Sequence, residues 1–211
     1  FEYQDCFDNL LWKEPEDKAL LKQIMGSKRE SRMGSDNSED ALTWNVFRYL
    51  ERMGLASEFI KSVLGTTIIN PEIVYWSYSQ KDNQTLDILC QARNEFELVP
   101  SKGSEPDLII KSENSLIFIE AKLTAGNNTS PTNMKVEQKY VSGGNNWWDD
   151  VFISNFQKVA IQQKKYELSR FWLLGTWMAK KLGVDFHLVN LVIADREKDI
   201  EQSFGVHIKQ N

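Results

Sequence analysis

The chain has 211 residues, 41% of them apolar, which is enough to fill the core of one domain. Its formal net charge of −5 excludes a protein that is basic throughout, and its two cysteines exclude a disulfide framework and a zinc site. The longest apolar run, residues 171–179, is too short to cross a bilayer, and no signal peptide is recognised. We therefore expect one cytoplasmic domain over residues 1–211, without a membrane partner.

Residues 1–35 are predicted to form an N-terminal extension to this domain. Apolar residues at helical spacing predict a helix over residues 15–25. The glycine-bounded segment 26–37 is polar and locally basic, and it predicts a loop. The cations of this loop either contact phosphate or are simply solvated; they are Lys28, Arg29 and Arg32.

Residues 38–53 carry the clearest helical pattern. Their apolar members recur at intervals of three and four and predict the buried face; they are Leu42, Val46, Tyr49, Leu50 and Met53. Glu39 lies on that same face, where an acid is unusual. Asp36 or Ser38 can cap the start of this helix, and a capping box of Asp36 with Glu39 accounts for the acid, because an acid in the first turn suits the helix dipole.

The next three segments lead into the sheet. Residues 55–64 predict a short helix, and residues 73–79 predict a strand because they are rich in β-formers. Residues 85–98 fit either a helix or a segment that feeds the sheet.

Two short apolar runs, residues 108–110 and 116–119, are separated by four turn formers and predict a β-hairpin. A two-residue turn at Glu113 and Asn114 fixes its register. Only a loop of odd length would shift that register.

In this register Asp107 lies opposite Glu120 on one face of the hairpin, and Lys122 shares that face. Two facing carboxylates repel each other, and three compensations are available. One carboxylate can hold a proton, Lys122 can lie across both, or a divalent cation can sit between them.

At these residues the sequence resembles the PD-(D/E)XK nuclease superfamily. Pro106-Asp107 is similar to the first half of that motif and Glu120-Ala121-Lys122 to the second. Other acid-x-Lys triplets occur in the chain, but only this one ends an apolar β-run. The resemblance spans residues 36–196 and implies an α/β fold with a restriction-endonuclease-like α-β-β-β-α-β core, in which helices flank a central mixed sheet.

The resemblance also implies an activity, the hydrolysis of phosphodiester bonds, most readily in DNA. Asp107, Glu120 and the Ala121 carbonyl would hold Mg²⁺, for which Mn²⁺ can substitute, and Lys122 would orient the attacking water. Glu39 would bind a second metal or a metal-bound water, which is the alternative to its capping role. The competing hypotheses are a catalytically inactive module of this fold, which the acidic net charge favours, and an unrelated hairpin protein with protein partners.

The segment after the hairpin, residues 124–146, is polar and predicts a loop. Trp147 and Trp148 follow it, and they either stack on bases or anchor the loop to the core. A helix is predicted over residues 150–182 and a buried parallel strand over residues 186–194.

The predicted helix carries a mostly basic face, which either tracks a phosphate backbone or is solvated. Gln162 and Tyr166 match the Q-x-x-x-Y pattern of some exonuclease branches, which implies contacts to nucleic acid from Gln162, Lys165 and Tyr166. The oligomeric state stays open, a homo-oligomer included.

Overall fold

Six strands form one mixed sheet in the computed structural model, which describes residues 1–27, 33–122 and 125–209. The strands are β1 Glu72–Tyr75, β2 Tyr78–Ser79, β3 Gln84–Thr85, β4 Leu108–Lys111, β5 Ser115–Lys122 and β6 Asp185–Val192. The α-helices are α1 Pro15–Ser27, α2 Glu39–Arg52, α3 Ala56–Leu64, α4 Asp87–Phe96, α5 Val136–Val151, α6 Tyr166–Leu182 and α7 Ile200–Ser203.

The strands lie in the order β3-β2-β1-β4-β5-β6, and only β5 and β6 run parallel. Alternate side chains of β4 and β5 enter two separate cores. Ile109 and Phe118 pack with the residues of α4, α5 and α6, whereas Ile110 and Ile117 pack with those of α1, α2 and α3. The α/β prediction, with helices on both faces of a mixed sheet, is therefore confirmed.

The predicted hairpin register is confirmed. Ile109 pairs with Phe118, and Lys111 pairs with Leu116. The backbone N–H of Ser112 donates to the carbonyl of Ser115 at 2.9 Å, which closes the turn. A local turn thus sets which residues of β4 and β5 share a face.

Helix α2 begins and ends close to the predicted limits, but its predicted buried face is wrong. The side chains that it buries are Ala41, Thr43, Trp44 and Phe47, and Trp44 packs on Tyr75 of the sheet. Of the five residues predicted to be buried, Leu50 packs against the core, whereas the other four are 40–56% exposed; they are Leu42, Val46, Tyr49 and Met53. Large aromatic side chains on the opposite face bury more apolar area than the aliphatic stripe does, so they decide the orientation.

Of the two caps predicted for α2, Ser38 is the one observed. The Ser38 hydroxyl accepts the backbone N–H of Ala41 at 3.0 Å, and Asp36 instead pairs with the N-terminal amine of Phe1 at 3.5 Å. The capping box predicted between Asp36 and Glu39 is therefore wrong. The cap is the serine that lies nearer to the helix.

Three shorter segments follow the prediction in part. Helices α1 and α3 lie where they were expected, and the ambiguous segment 85–98 forms helix α4. The single strand predicted over 73–79 is instead a tight hairpin, because Trp76 and Ser77 have φ angles of 43° and 77°. Two successive residues with positive φ make a reversal that joins β1 to β2.

The region after the hairpin differs most from the prediction. The loop predicted over 124–146 contains most of α5, whose helical geometry breaks at residues 143–146. The single helix predicted over 150–182 is divided into a π-helical turn, Gln157–Gln162, and α6. Lys164 has a φ of 54°, so the chain changes direction between them.

Strand β6 is parallel to β5, as predicted, and Asn190 aligns with Glu120. It is not buried, however, because it forms an edge of the sheet and most of its residues are partly exposed. No helix in the described part of the chain is long and apolar enough to span a bilayer.

Candidate active site

Asp107 and Glu120 meet where β4 begins and β5 nears its end. The Asp107 carboxylate accepts the backbone N–H of Ala121 at 2.8 Å, so it reaches across the hairpin to the residue next to Glu120. Continuing the observed register by one pair places Asp107 opposite Glu120. Glu120 also alternates in phase with Phe118, which contacts Phe171 of α6. The two carboxylates therefore lie between the sheet and α6.

Glu120 is a buried carboxylate, with only 3% of its surface exposed. Burial raises its pKa well above the ordinary value, and the nearby charges of Asp107 and Glu167 raise it further, although Lys122 opposes them. One oxygen accepts from the Lys122 ammonium at 2.5 Å. The other, Oε2, has no hydrogen-bond partner among the described residues. A buried acceptor left in this state is costly unless a ligand satisfies it.

Lys122 lies between two carboxylates. Its ammonium contacts Glu120 and also Glu167, the latter at 3.3 Å. Burial lowers the pKa of Lys122, but attraction to these two acids outweighs burial and leaves the pKa above its ordinary value. A raised pKa favours the charged form of Lys122, which suits a fixed positive group. Of the three predicted compensations, the Lys122 contact is observed with Glu120, and the second acid that this ammonium contacts is Glu167.

The sequence interpretation missed Glu167. This residue occupies the first turn of α6, and its backbone N–H donates to the Thr129 hydroxyl at 2.8 Å. It was missed because a single helix was predicted over residues 150–182, and such a helix gave Glu167 no special position. A sequence signal that marked the chain break before Tyr166 would have placed Glu167 at a helix start.

Glu39 lies near this site but on the other side of β5. Its carboxylate accepts the backbone N–H of Ala125 at 3.3 Å, and it lines a cavity of about 230 Å³ together with Ala121 and Lys122. Within the described ranges, no group of three or more histidine, cysteine, aspartate or glutamate side chains has the geometry of a metal site. A metal role for Glu39 therefore stays a prediction.

A buried polar network holds the segment that leads into Asp107. Glu97 accepts the backbone N–H of Ser104 with both carboxylate oxygens, at 2.7 and 2.9 Å. Arg93 donates twice to the Ser104 carbonyl, and Arg170 donates to the Ser104 hydroxyl at 2.8 Å. Because α4 and α6 supply these groups, they fix the position from which the chain enters β4. Asp107 is thus positioned by side chains that lie outside the hairpin.

The three residues predicted to contact nucleic acid do not lie on one helical face; they are Gln162, Lys165 and Tyr166. Gln162 is exposed, but Lys165 is buried and pairs with Glu197 at 3.2 Å. Tyr166 is partly buried beside Arg170. The expectation of one basic helical surface is wrong, because the break at residues 163–165 turns Lys165 into the protein.

The two tryptophans after the break in α5 anchor this segment to the core and do not protrude into solvent. Trp148 is buried, and its ring stacks on Phe152 with centroids 4.0 Å apart. The indole N–H of Trp147 donates to the Thr176 hydroxyl at 3.0 Å. The anchoring alternative is therefore the one observed. The phosphate contacts suggested for Lys28, Arg29 and Arg32 lie outside the described residues.

Comparisons of this chain with protein-family models, with curated proteins and with solved structures found no match.

Proposed function

We propose that this protein is a cytoplasmic, Mg²⁺-dependent nuclease that hydrolyses phosphodiester bonds in DNA. The observation that carries the proposal is the pairing of Asp107 with Glu120 across a hairpin, with Lys122 next along the same face. Two acids and a lysine close together at one strand end can hold a metal and stabilise charge, as metal-assisted phosphodiester hydrolysis uses.

The order of the elements supports the proposal at the level of fold. Helix α2, strands β1, β4 and β5, helix α6 and strand β6 follow one another as a restriction-endonuclease-like core would. Strands β1, β4 and β5 are antiparallel, and β6 adds in parallel after the crossover. Many activities share one fold, so this observation supports the site and does not replace it.

The residues present fit a hard divalent cation. Glu120 offers a buried oxygen without a hydrogen-bond partner among the described residues, and repulsion from Asp107 contributes to its raised pKa. A cation between these carboxylates would bind this oxygen of Glu120 and reduce the repulsion from Asp107, with the Ala121 carbonyl as a further oxygen ligand. When bound, the metal would polarise a phosphoryl oxygen and lower the pKa of a coordinated water.

The protein's own groups would supply the remaining chemistry. Lys122 is held charged, and it can stabilise the negative charge that develops on the phosphate. Glu167 holds the Lys122 ammonium from the side of α6 and so restricts where that charge can lie. The network around Ser104 keeps Asp107 in place while substrate binds.

A cleavage assay tests this function. Supercoiled, linear and single-stranded DNA, and RNA, are incubated with the protein in Mg²⁺ or Mn²⁺. We expect DNA cleavage that falls at least about 10²-fold in Glu120→Gln and Asp107→Asn, because each removes a group that stabilises charge. Glu113→Gln, an exposed change at the tip of the same hairpin, is the matched control and should cleave normally. Cleavage that persists in Glu120→Gln would overturn the proposal.

The second candidate is a catalytically inactive module that binds nucleic acid or a protein partner. It is favoured by the contacts that already occupy the Lys122 ammonium and by the acidic net charge. Calorimetric titration with Mn²⁺ separates the two. Binding that is lost in Asp107→Asn supports the nuclease, and the absence of binding in the wild type supports the inactive module.

A further inference from the structure

The exposed stripe of α2 has the spacing of a helix–helix interface. Leu42, Val46, Tyr49 and Met53 follow one another at intervals of four, three and four residues. This is the heptad spacing with which one helix packs into the grooves of another. Because the opposite face of α2 already covers the sheet, the stripe is a second apolar face on the same helix.

The stripe continues on both sides into other exposed apolar side chains. Leu191 and Ile193 extend it from the β6 edge, since they line the same cavity as Leu42 and Val46. On the other side the backbone N–H of Leu11 donates to the Asn45 side chain, and Trp12 stacks on Tyr49. We call this surface the α2 patch; its members are Leu11, Leu42, Val46, Tyr49, Met53, Leu191 and Ile193.

The area of the α2 patch lies at or above the upper end of what a monomer usually exposes. Taking about 150–250 Å² for each large residue, the exposures of its members add up to roughly 500–850 Å². The largest apolar patch on a typical monomer is about 300–600 Å², and a stable interface buries about 800 Å² on each partner. The patch therefore supplies most of one side of an interface, and a polar rim would supply the rest.

The spacing of the stripe selects a second copy of the helix in the antiparallel direction. Its intervals of four, three and four residues are the same in both chain directions, so a two-fold axis across the middle of α2 aligns two copies of the stripe. Antiparallel packing also opposes the two helix dipoles favourably. Arg52 in the last turn is already paired with Glu14 and Asp17 of its own chain, so charge does not contribute to this selection.

We propose that the α2 patch is the interface of a symmetric homodimer in which the two α2 helices pack antiparallel. Leu42 then lies against Met53 of the partner subunit, and Val46 lies against Tyr49 of the partner subunit. The same residues serve both chains, as a two-fold axis requires. This inference does not rest on the proposed nuclease activity.

Sedimentation velocity over a concentration series tests the dimer. We expect the wild-type chain to dimerise with a dissociation constant of about 1–10 µM, in the range of a modest interface. Val46→Arg places a charge in the centre of the patch and should weaken dimerisation at least 30-fold. Ile153→Arg is the matched control, because Ile153 is an exposed apolar residue outside the patch, and it should dimerise like the wild type.

Circular dichroism melts of each variant at low concentration confirm that the chains are folded. A wild-type chain that stays monomeric at several hundred µM would overturn the proposal. A Val46→Arg variant that dimerises as strongly as the wild type would overturn it equally.

Disulfide trapping tests the direction of the helices. Leu42→Cys and Met53→Cys are made separately in a chain whose two native cysteines, Cys6 and Cys90, are changed to serine. Mixing the two proteins under mild oxidation should give mainly the mixed disulfide, because antiparallel packing brings only residues 42 and 53 within bonding distance. Disulfides formed mainly between two copies of Leu42→Cys, or no disulfide at all, would overturn the antiparallel arrangement.

Discussion

The candidate active site and the α2 patch depart from the usual distribution of residues in opposite directions. At the end of β5 a carboxylate is buried and contacts a half-buried lysine, whereas along α2 apolar side chains face solvent. Each arrangement costs free energy in an isolated chain, the first through lost hydration of charge and the second through contact of apolar surface with water.

The comparison indicates which ligand each region would accept. One carboxylate oxygen of Glu120 has no hydrogen-bond partner in the part of the chain that the structure describes, and repulsion from neighbouring acids raises its pKa further, so a bound cation would stabilise the carboxylate. The α2 patch exposes apolar side chains to water, so contact with another apolar surface would stabilise it. The two regions should therefore respond to different changes. The stability of the candidate active site should depend on charge, metal and pH, and burial of the α2 patch should depend on protein concentration.

The largest effect is expected from Lys122→Met, which leaves Glu120 without its observed cation. We expect the free energy of unfolding to fall by about 3–5 kcal/mol at pH 8 in EDTA, because the change removes one partner of a buried ion pair. Urea denaturation measures this loss. The loss should shrink as the pH is lowered, because protonation of Glu120 removes the charge that Lys122 compensates.

Lys198→Met is the control for this change. Lys198 and Asp195 form an ion pair at 2.7 Å, but both side chains are more than 70% exposed. An exposed pair is worth about 0–1 kcal/mol, so this variant should unfold almost like the wild type. Equal losses in the two variants would contradict the buried, charge-dependent character of the site.

A smaller effect is expected from metal. A cation that binds only the folded chain stabilises it by about 2.7 kcal/mol at 100 times its dissociation constant. We expect thermal melts to show such a stabilisation with Mn²⁺ in the wild type and in Glu113→Gln. The shift should vanish in Glu120→Gln and in Asp107→Asn. A shift that survives in both site variants would assign the metal to another place.

The pH dependence of the free energy of unfolding reports on the titration of Glu120. Its pKa is raised in the folded state, so the folded chain keeps a proton that the unfolded chain releases above about pH 4.5. Stability should therefore fall as pH rises above that value, by up to about 1.4 kcal/mol per pH unit, until the folded-state pKa is passed. Glu120→Gln cannot titrate and should lack this component. Urea denaturation of both proteins from pH 4.5 to 8, in EDTA, measures the difference, and parallel curves would contradict it.

The parts of the molecule that could be predicted are those set by short-range geometry. The hairpin register follows from turn residues and a strict alternation within about a dozen positions, so the facing of Asp107 and Glu120 was accessible from the sequence. The network that holds Asp107 could not be predicted, because Arg170 lies 66 residues from Ser104 and the contact of Glu97 with Ser104 follows from no periodic pattern. The position of Glu167 could not be predicted for a related reason. The break before α6 accompanies the burial of Lys165 against Glu197, a partner 32 residues away.

Helix α2 shows the same limit in a different form. Its sequence carries two apolar faces, one with Trp44 and Phe47 and one with Leu42 and Val46. Periodicity identifies the helix, but it cannot decide which face meets the sheet, because that choice depends on the aromatic side chains of β1 and on the width of the sheet. The stripe with the cleaner spacing is the one left exposed.

The smallest expected effect tests this orientation within two adjacent residues. Val46→Ser removes apolar surface that the monomer already exposes, so the free energy of unfolding should change by less than about 0.5 kcal/mol. Phe47→Ala, at the next position, empties a buried site and should cost about 3–5 kcal/mol. Urea denaturation below the concentration at which dimers form measures both. At higher concentration Val46→Ser should lose stability relative to the wild type, because only the wild type gains from association. A large loss for Val46→Ser in the monomer would place the stripe against the sheet and remove the basis of the proposed interface.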